Sequence, residues 1–142
     1  MESLEKQKFI FANFFLIANK LQVKGDAYLR EITTKQWFLI MMISQFDYPP
    51  MLTEVANIMG TSRQNIKQLA LKLQDNGFLT LEKDGRDNRT LRLVLTKKNK
   101  NFWAERQRED IRFITDIFKK LSNQELDIMV NAFHKIVEEL KS

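Results

Sequence analysis

The chain has 142 residues, 44% hydrophobic and 29% charged, which is enough apolar material for one packed domain and argues against a disordered chain. It contains no cysteine, so disulfides, thiolate metal centres and thiol-based peroxide sensing are excluded. The net charge of +5 is uneven: positions 61–100 hold ten Lys or Arg against four Asp or Glu, net +6, and the remainder holds 13 against 14, net −1, so one basic segment invites a polyanionic partner.

In chain order, Ile10, Phe14, Ile17 and Leu21 form one stripe of a first helix, and Phe11 and Phe15 widen it beyond what a single covering face requires. That surplus suggests a subunit interface. Thr34 to Phe46 reads as a second, central helix around Trp37, Leu39, Ile40, Met41 and Ile43, with Pro49 and Pro50 separating it from the next apolar segment. Leu52, Val55, Ala56 and Met59 then recur at helical spacing in a short helix that Thr53 caps early and Gly60 ends. Ser62 is a good N-cap for the next helix, which turns Ile66, Leu69, Ala70 and Leu73 inward and stops at Gly77. Its outward side chains include Arg63, Gln64, Asn65, Lys67 and Gln68, donors and amides that match base edges and phosphates in a major groove. Any solvated helix face can carry such residues; the basic hairpin next to them in the chain gives them meaning.

From Phe78 to Glu82 and from Thr90 to Leu95 the apolar period changes to two, predicting an antiparallel hairpin. Its loop has Gly85 and Asn88 to supply unusual backbone angles and presents Arg86 and Arg89, with Asp87 between them to hold one guanidinium in a fixed direction. A long helix is predicted from about Lys97 to Lys120, ending in Ile111, Ile114, Ile117 and Phe118, with Leu121 just beyond it. Ser122 and Glu125 form a capping box for a last helix with the stripe Leu126, Met129, Phe133, Ile136, Val137 and Leu140. Without repeats or Gly/Ser linkers, residues 1–142 read as a single domain.

The stretch from Leu52 to Thr96 resembles the winged helix-turn-helix of the MarR family of bacterial transcription regulators. Gly60, Ser62, Leu69, Leu73 and Gly77 carry the helical part, and Asp87-Asn88-Arg89 followed by Leu95-Thr96 is similar to the family's Asp-x-Arg and Leu-Thr wing. The resemblance implies a mainly α fold with a small β-hairpin wing, a DNA-binding core over 33–96, and dimerisation helices over 1–30 and 97–142. It implies that the start of the Ser62 helix lies in the major groove, that Arg89 enters the minor groove, and that Asp87 positions the wing. It further implies a homodimer on a palindromic operator, acting as a repressor and released by a small aromatic ligand. Asn99 stands where the family usually has Gly, a mild departure because Asn tolerates left-handed angles. Leu71 lies on the polar side of the recognition helix, to meet a thymine methyl or to pack on the wing.

The expected DNA-binding set is therefore Ser62, Arg63, Gln64, Asn65, Lys67, Gln68, Arg86, Asp87 and Arg89, and the expected dimerisation set is Ile10, Phe14, Ile17, Leu21, Phe133, Ile136 and Leu140. Phe15, Trp37, Met41 and Phe113 are candidates for a ligand cleft, although aromatic and Met side chains at helical spacing also read as core. No catalytic, metal or cofactor site is expected: His134 is the only histidine, no glycine-rich phosphate loop exists, and Glu105, Glu109 and Asp110 alternate with arginines as on a solvated helix. Apolar runs are too short to span a membrane, so the chain reads as cytoplasmic. The alternative, a winged helix used only for protein contacts, has no need of Arg86 and Arg89 beside a polar recognition helix.

Overall fold

The computed structural model describes residues 1–141. Among these, seven helices and an antiparallel hairpin run in the order α1 (Ser3–Leu29), α2 (Thr34–Ser44), α3 (Leu52–Met59), α4 (Arg63–Asp75), β1 (Leu79–Lys83), β2 (Leu91–Leu95), α5 (Lys97–Glu105), α6 (Gln107–Phe118) and α7 (Asn123–Glu139). The mainly helical class with one hairpin is as expected. The chain forms two compact units, Met1–Asn101 and Phe102–Ser142.

In the first unit α2 is central, as its apolar character predicted. Thr33 caps it: the Thr33 hydroxyl accepts the Gln36 N–H at 3.2 Å and Gln36 Oε1 accepts the Thr33 N–H at 2.9 Å. Leu39, Ile40 and Ile43 are buried, and α2 packs on α1, α3, α4 and β2. Leu52, Val55 and Ala56 of α3, Ile66, Ala70 and Leu73 of α4, and Phe78, Leu79 and Leu93 at the hairpin complete this core. The hairpin register pairs Leu79 with Leu95, Leu81 with Leu93 and Lys83 with Leu91, so the leucines of both strands share a face.

In the second unit the Ser122 hydroxyl accepts the Glu125 N–H at 3.1 Å and the Glu125 carboxylate accepts the Ser122 N–H at 2.9 Å, the predicted capping box. Neither α6 nor α7 contains a buried residue.

Four local expectations are corrected. The single helix from Lys97 to Lys120 is two helices, broken at Arg106 (φ −111°, ψ 14°), whose guanidinium lies over the Phe102 ring at 4.7 Å and pairs with Asp110 at 3.1 Å. Thr53 does not cap α3; the N-cap is Met51, two residues earlier, and Glu54 Oε1 accepts the Met51 N–H at 3.0 Å. Gly85 and Asn88 do not take positive φ, which among the described residues falls on Gly60, Gly77 and Arg30. Asn99 is helical and buried, its N–H donated to the Thr96 hydroxyl at 3.2 Å, so it needs no left-handed angle.

α1 and α2 meet closely at Gly25, where an added Cβ would collide with the Thr34 hydroxyl. Thr34 has little freedom to yield, because its hydroxyl donates to the Gln22 carbonyl at 3.2 Å and its N–H to Asp26 Oδ1 at 2.7 Å. Gly25→Ala is therefore expected to destabilise by about 1–2 kcal/mol, overpacking outweighing the helix propensity that Ala adds. Thermal melting should fall by roughly 4 °C per kcal/mol. The companion change Thr34→Ala in the Gly25→Ala background should recover part of the loss; an unchanged melt for Gly25→Ala alone would show that the corner has room.

Candidate nucleic-acid interface

The outward face of α4 is set by the helix's start. Gly60 ends α3 in a left-handed turn (φ 67°), and the Thr61 N–H returns to the Ala56 carbonyl at 3.1 Å. Ser62 then caps α4, its hydroxyl accepting the Asn65 N–H at 3.1 Å, while Asn65 Nδ2 donates to the Thr61 hydroxyl at 2.9 Å. With Ile66, Ala70 and Leu73 fully buried, Arg63, Gln64, Asn65, Lys67 and Gln68 are all left exposed. Ser62 and Asn65 are partly committed to local bonds, so Gln64 and Gln68 are the amides with the freer reach. Leu71 is 42% exposed on the same helix.

The wing tip is built by carboxylates. Asp87 Oδ1 accepts the Arg89 backbone N–H at 3.0 Å and faces its Nε at 3.3 Å, and the Asp87 carbonyl accepts the Thr90 N–H at 3.0 Å, closing the turn without a positive φ. The Arg89 side chain is 93% exposed and so is held by Asp87 while open to a partner. The Arg89 backbone N–H, then its guanidinium, hold the Asp87 carboxyl below the usual carboxylate range. Where the strands give way to the tip loop, Asp84 Oδ1 accepts Arg92 Nε at 2.8 Å, and this bond lowers the Asp84 carboxyl and raises the Arg92 guanidinium. Arg92 Nη1 also donates to the Pro49 carbonyl at 2.8 Å. Nearby, the Tyr48 hydroxyl donates to Glu54 Oε2 at 2.6 Å, which raises the Tyr48 hydroxyl. Glu54 is lowered, first by the Met51 N–H and then by Tyr48.

The two halves of the surface meet. A cleft of about 330 Å³ between the start of α3, the start of α4 and the wing is lined by Thr53, Arg63, Asp87, Arg89, Thr90 and Leu91, among others. Thus Arg63 and Arg89, expected separately from helix and wing, open onto one space. Arg86 is exposed and does not line it. Two ties that hold the wing were not anticipated: Arg92, which reads as one polar member of an alternating strand, and Gln74, whose Oε1 accepts the Leu81 N–H at 2.8 Å and joins α4 to β1.

The other expected sets lie elsewhere. Ile10, Phe14, Ile17 and Leu21 are exposed on α1, and in the second unit Phe133 and Leu140 are exposed and Ile136 is half-buried. Of the ligand-cleft candidates, Phe15 and Met41 are exposed and Trp37 half-buried in the first unit, with Phe113 half-buried in the second. None lines the cleft above or a groove of about 430 Å³ bounded by Asp26, Arg30, Gln36 and Lys72. Among the described residues no group of His, Asp and Glu is placed to hold a metal, and no helix is long and apolar enough to cross a membrane.

The sequence matches no protein-family model and no curated protein. Its fold is similar to solved structures. A MarR family transcriptional regulator from Streptomyces coelicolor in complex with DNA superposes with a TM-score of 0.83 at 16% identity, covering 100% of this chain and 91% of that one. A MarR transcriptional regulator from Methanosarcina mazei Go1 gives 0.82 at 16% identity, with 93% and 96% covered. The organohalide-sensing regulator RdhR-CbdbA1625 in its 2,4-dichlorophenol-bound form gives 0.81 at 10% identity, with 99% and 86% covered. The chain has the winged-helix fold of the MarR transcriptional regulators.

Proposed function

We propose that this chain is a dimeric, sequence-specific DNA-binding transcriptional regulator of the MarR family. The observation that carries the reading is the shared cleft: an arginine at the start of a helix whose outward face is otherwise amides and lysine, and an arginine on a wing turn, open onto the same space. The structural neighbour solved with DNA supports it. In this reading α4 lies in the major groove, where Gln64 and Gln68 read bases and Lys67 meets phosphate, and Arg89 enters the minor groove. Ser62, Arg63 and Asn65 serve the start of the helix, and Arg86 flanks Arg89 on the wing.

The partner copy docks through Ile10, Phe14, Ile17 and Leu21 together with Phe133, Ile136 and Leu140. Two identical recognition helices then require a roughly palindromic operator with half-site centres about 10 to 10.5 base pairs apart, one helical turn. A protein seated across such a site blocks other proteins from it, which favours repression. A small aromatic effector belongs to the same reading, supported by the phenol-bound neighbour and the aromatic and Met surface at Phe15, Trp37 and Met41.

Replacing Arg89 with Ala should weaken binding to a duplex selected from random sequence by about 1–3 kcal/mol, with the melt unchanged because the side chain is 93% exposed. Titration at fixed salt and thermal melting decide it. Undiminished affinity would remove Arg89 from the interface.

Wing order should also depend on pH in one direction. The Asp87 and Asp84 carboxyls lie below their ordinary values in the folded protein, so their contribution is complete above the usual carboxylate range and is lost as pH falls through the lowered folded values. Amide resonances of Arg89 and Thr90 should stay constant from neutral pH through the ordinary aspartate range and shift only below it. A transition near neutral pH would contradict the role given to these carboxylates.

For the assembly, light scattering should give twice the 16.9 kDa chain mass. Phe14→Glu should yield monomer or aggregate, with operator affinity reduced more than by loss of Arg89. A wild-type monomer binding one asymmetric half-site at full affinity would overturn the dimer.

A further inference from the structure

We infer that Arg92 is the positioning residue of the wing: by clamping the neck of the wing, where the strands give way to the tip loop, to the loop between α2 and α3, it fixes where Arg89 stands relative to α4. The inference rests on the DNA-binding reading above for its consequence and on geometry for its mechanism. Arg92 sits on β2 beside the end of the strand ladder, and its guanidinium reaches two ways, Nε to Asp84 Oδ1 at 2.8 Å and Nη1 to the Pro49 carbonyl, 43 positions earlier, at 2.8 Å. The backbone takes the same path: Met51 bridges to Arg92, and the Leu93 N–H donates to the Pro50 carbonyl at 2.8 Å. With side chains 30% and 16% exposed, Arg92 and Asp84 are more sheltered than the Arg89–Asp87 pair at the tip, at 93% and 45%.

A two-stranded ribbon has little stiffness of its own, so a tie from outside it must set the direction of its tip. Leverage makes this matter. A tilt of about 10° at the neck moves a tip roughly 10 Å away by about 2 Å, more than a hydrogen bond to a groove tolerates. Only a planar fork makes both bonds at once; a lysine keeps the charge and any attraction to phosphate but has no second fixed direction. The chemistry therefore separates positioning from charge.

The test uses the full chain, with Arg92→Lys, Arg89→Ala and the double variant titrated against a duplex selected from random-sequence DNA by the wild type. Amide hydrogen exchange at Asp84 and Thr90 is measured without DNA. Arg92→Lys should weaken binding about tenfold with the melt nearly unchanged, yet cost less than about twofold further in the Arg89→Ala background, because a misplaced arginine that is already absent loses nothing. Exchange at Asp84 and Thr90 should be faster in Arg92→Lys. Full additivity of the two losses, or unaltered affinity, would overturn the positioning role. If the wild type selects no duplex, the DNA reading fails separately, and exchange alone then decides the clamp: faster exchange supports it and unchanged exchange refutes it.

Discussion

The left-handed turn at Gly77 is the constraint on which the surface shared by α4 and the wing depends. With φ at 82°, it ends α4 and immediately delivers Phe78 and Leu79 into the core, so helix and wing leave one point in fixed directions. Thr96, returning from β2, locks this junction. Its hydroxyl donates to the Gly77 carbonyl at 2.6 Å and accepts the Asn99 N–H, while its own N–H donates to the Phe78 carbonyl at 3.1 Å. One threonine thus satisfies the end of α4, closes the hairpin and caps α5. Lys98 Nζ adds a bond to the Asn76 carbonyl at 2.6 Å and lies over the Phe78 ring. A side chain at Gly77 would have to adopt the strained angle and displace Lys98, whose Cδ stands 3.2 Å from where a Cβ would be.

What could be read from the sequence was whatever a local rule fully determines. Ser62, Ser122 and Glu125 are caps because the orphan N–H groups of a helix start demand an acceptor three residues back or, for the N-cap's own N–H, three residues ahead, and nothing distant competes. The leucines of the hairpin alternate because a pleat forces them to. The misses share a different cause. Gly85 and Asn88 were expected to bend the tip through their own backbone freedom, yet Asp87 closes the turn with its side chain, a solution any residue in the αR region accepts. The break at Arg106 leaves no Gly or Pro behind; it is held by a guanidinium stacked on Phe102 and paired with Asp110, neither of which weakens helix propensity. Arg92 reaches a carbonyl 43 residues away and Gln74 reaches across a turn into the next element, and no periodicity encodes either partner.

The site residues divide along the same line. That Arg63, Gln64, Lys67 and Gln68 face outward is a consequence of burying Ile66, Ala70 and Leu73, and is a matter of period alone. That Arg63 shares a cleft with Arg89 depends on the angle between α4 and the wing, which is tertiary. The outward polar face of α4 was therefore visible in the residues, whereas its meeting with the wing was not.

The apolar surplus has a different origin. α1 exposes Phe9, Phe11, Phe15 and Ile17 at 51–65% even with its own unit folded, and α6 and α7 bury nothing completely. At about 25 cal/mol per Å² of apolar surface, leaving such side chains in water forfeits more than helix propensity returns, since most helical stability comes from packing an apolar face. Under the proposed dimer the apolar side chains that these helices leave exposed are covered by association. Stability and operator affinity then rise together with protein concentration, because the contact that completes the terminal helices is the one that presents two recognition helices at once. Within a protomer α4 and the wing are joined through Gly77 and Thr96; under the proposed function the spacing between two such surfaces is set by this second, hydrophobic constraint, which leaves the choice of bases to α4 and the choice of site length to the ends of the chain.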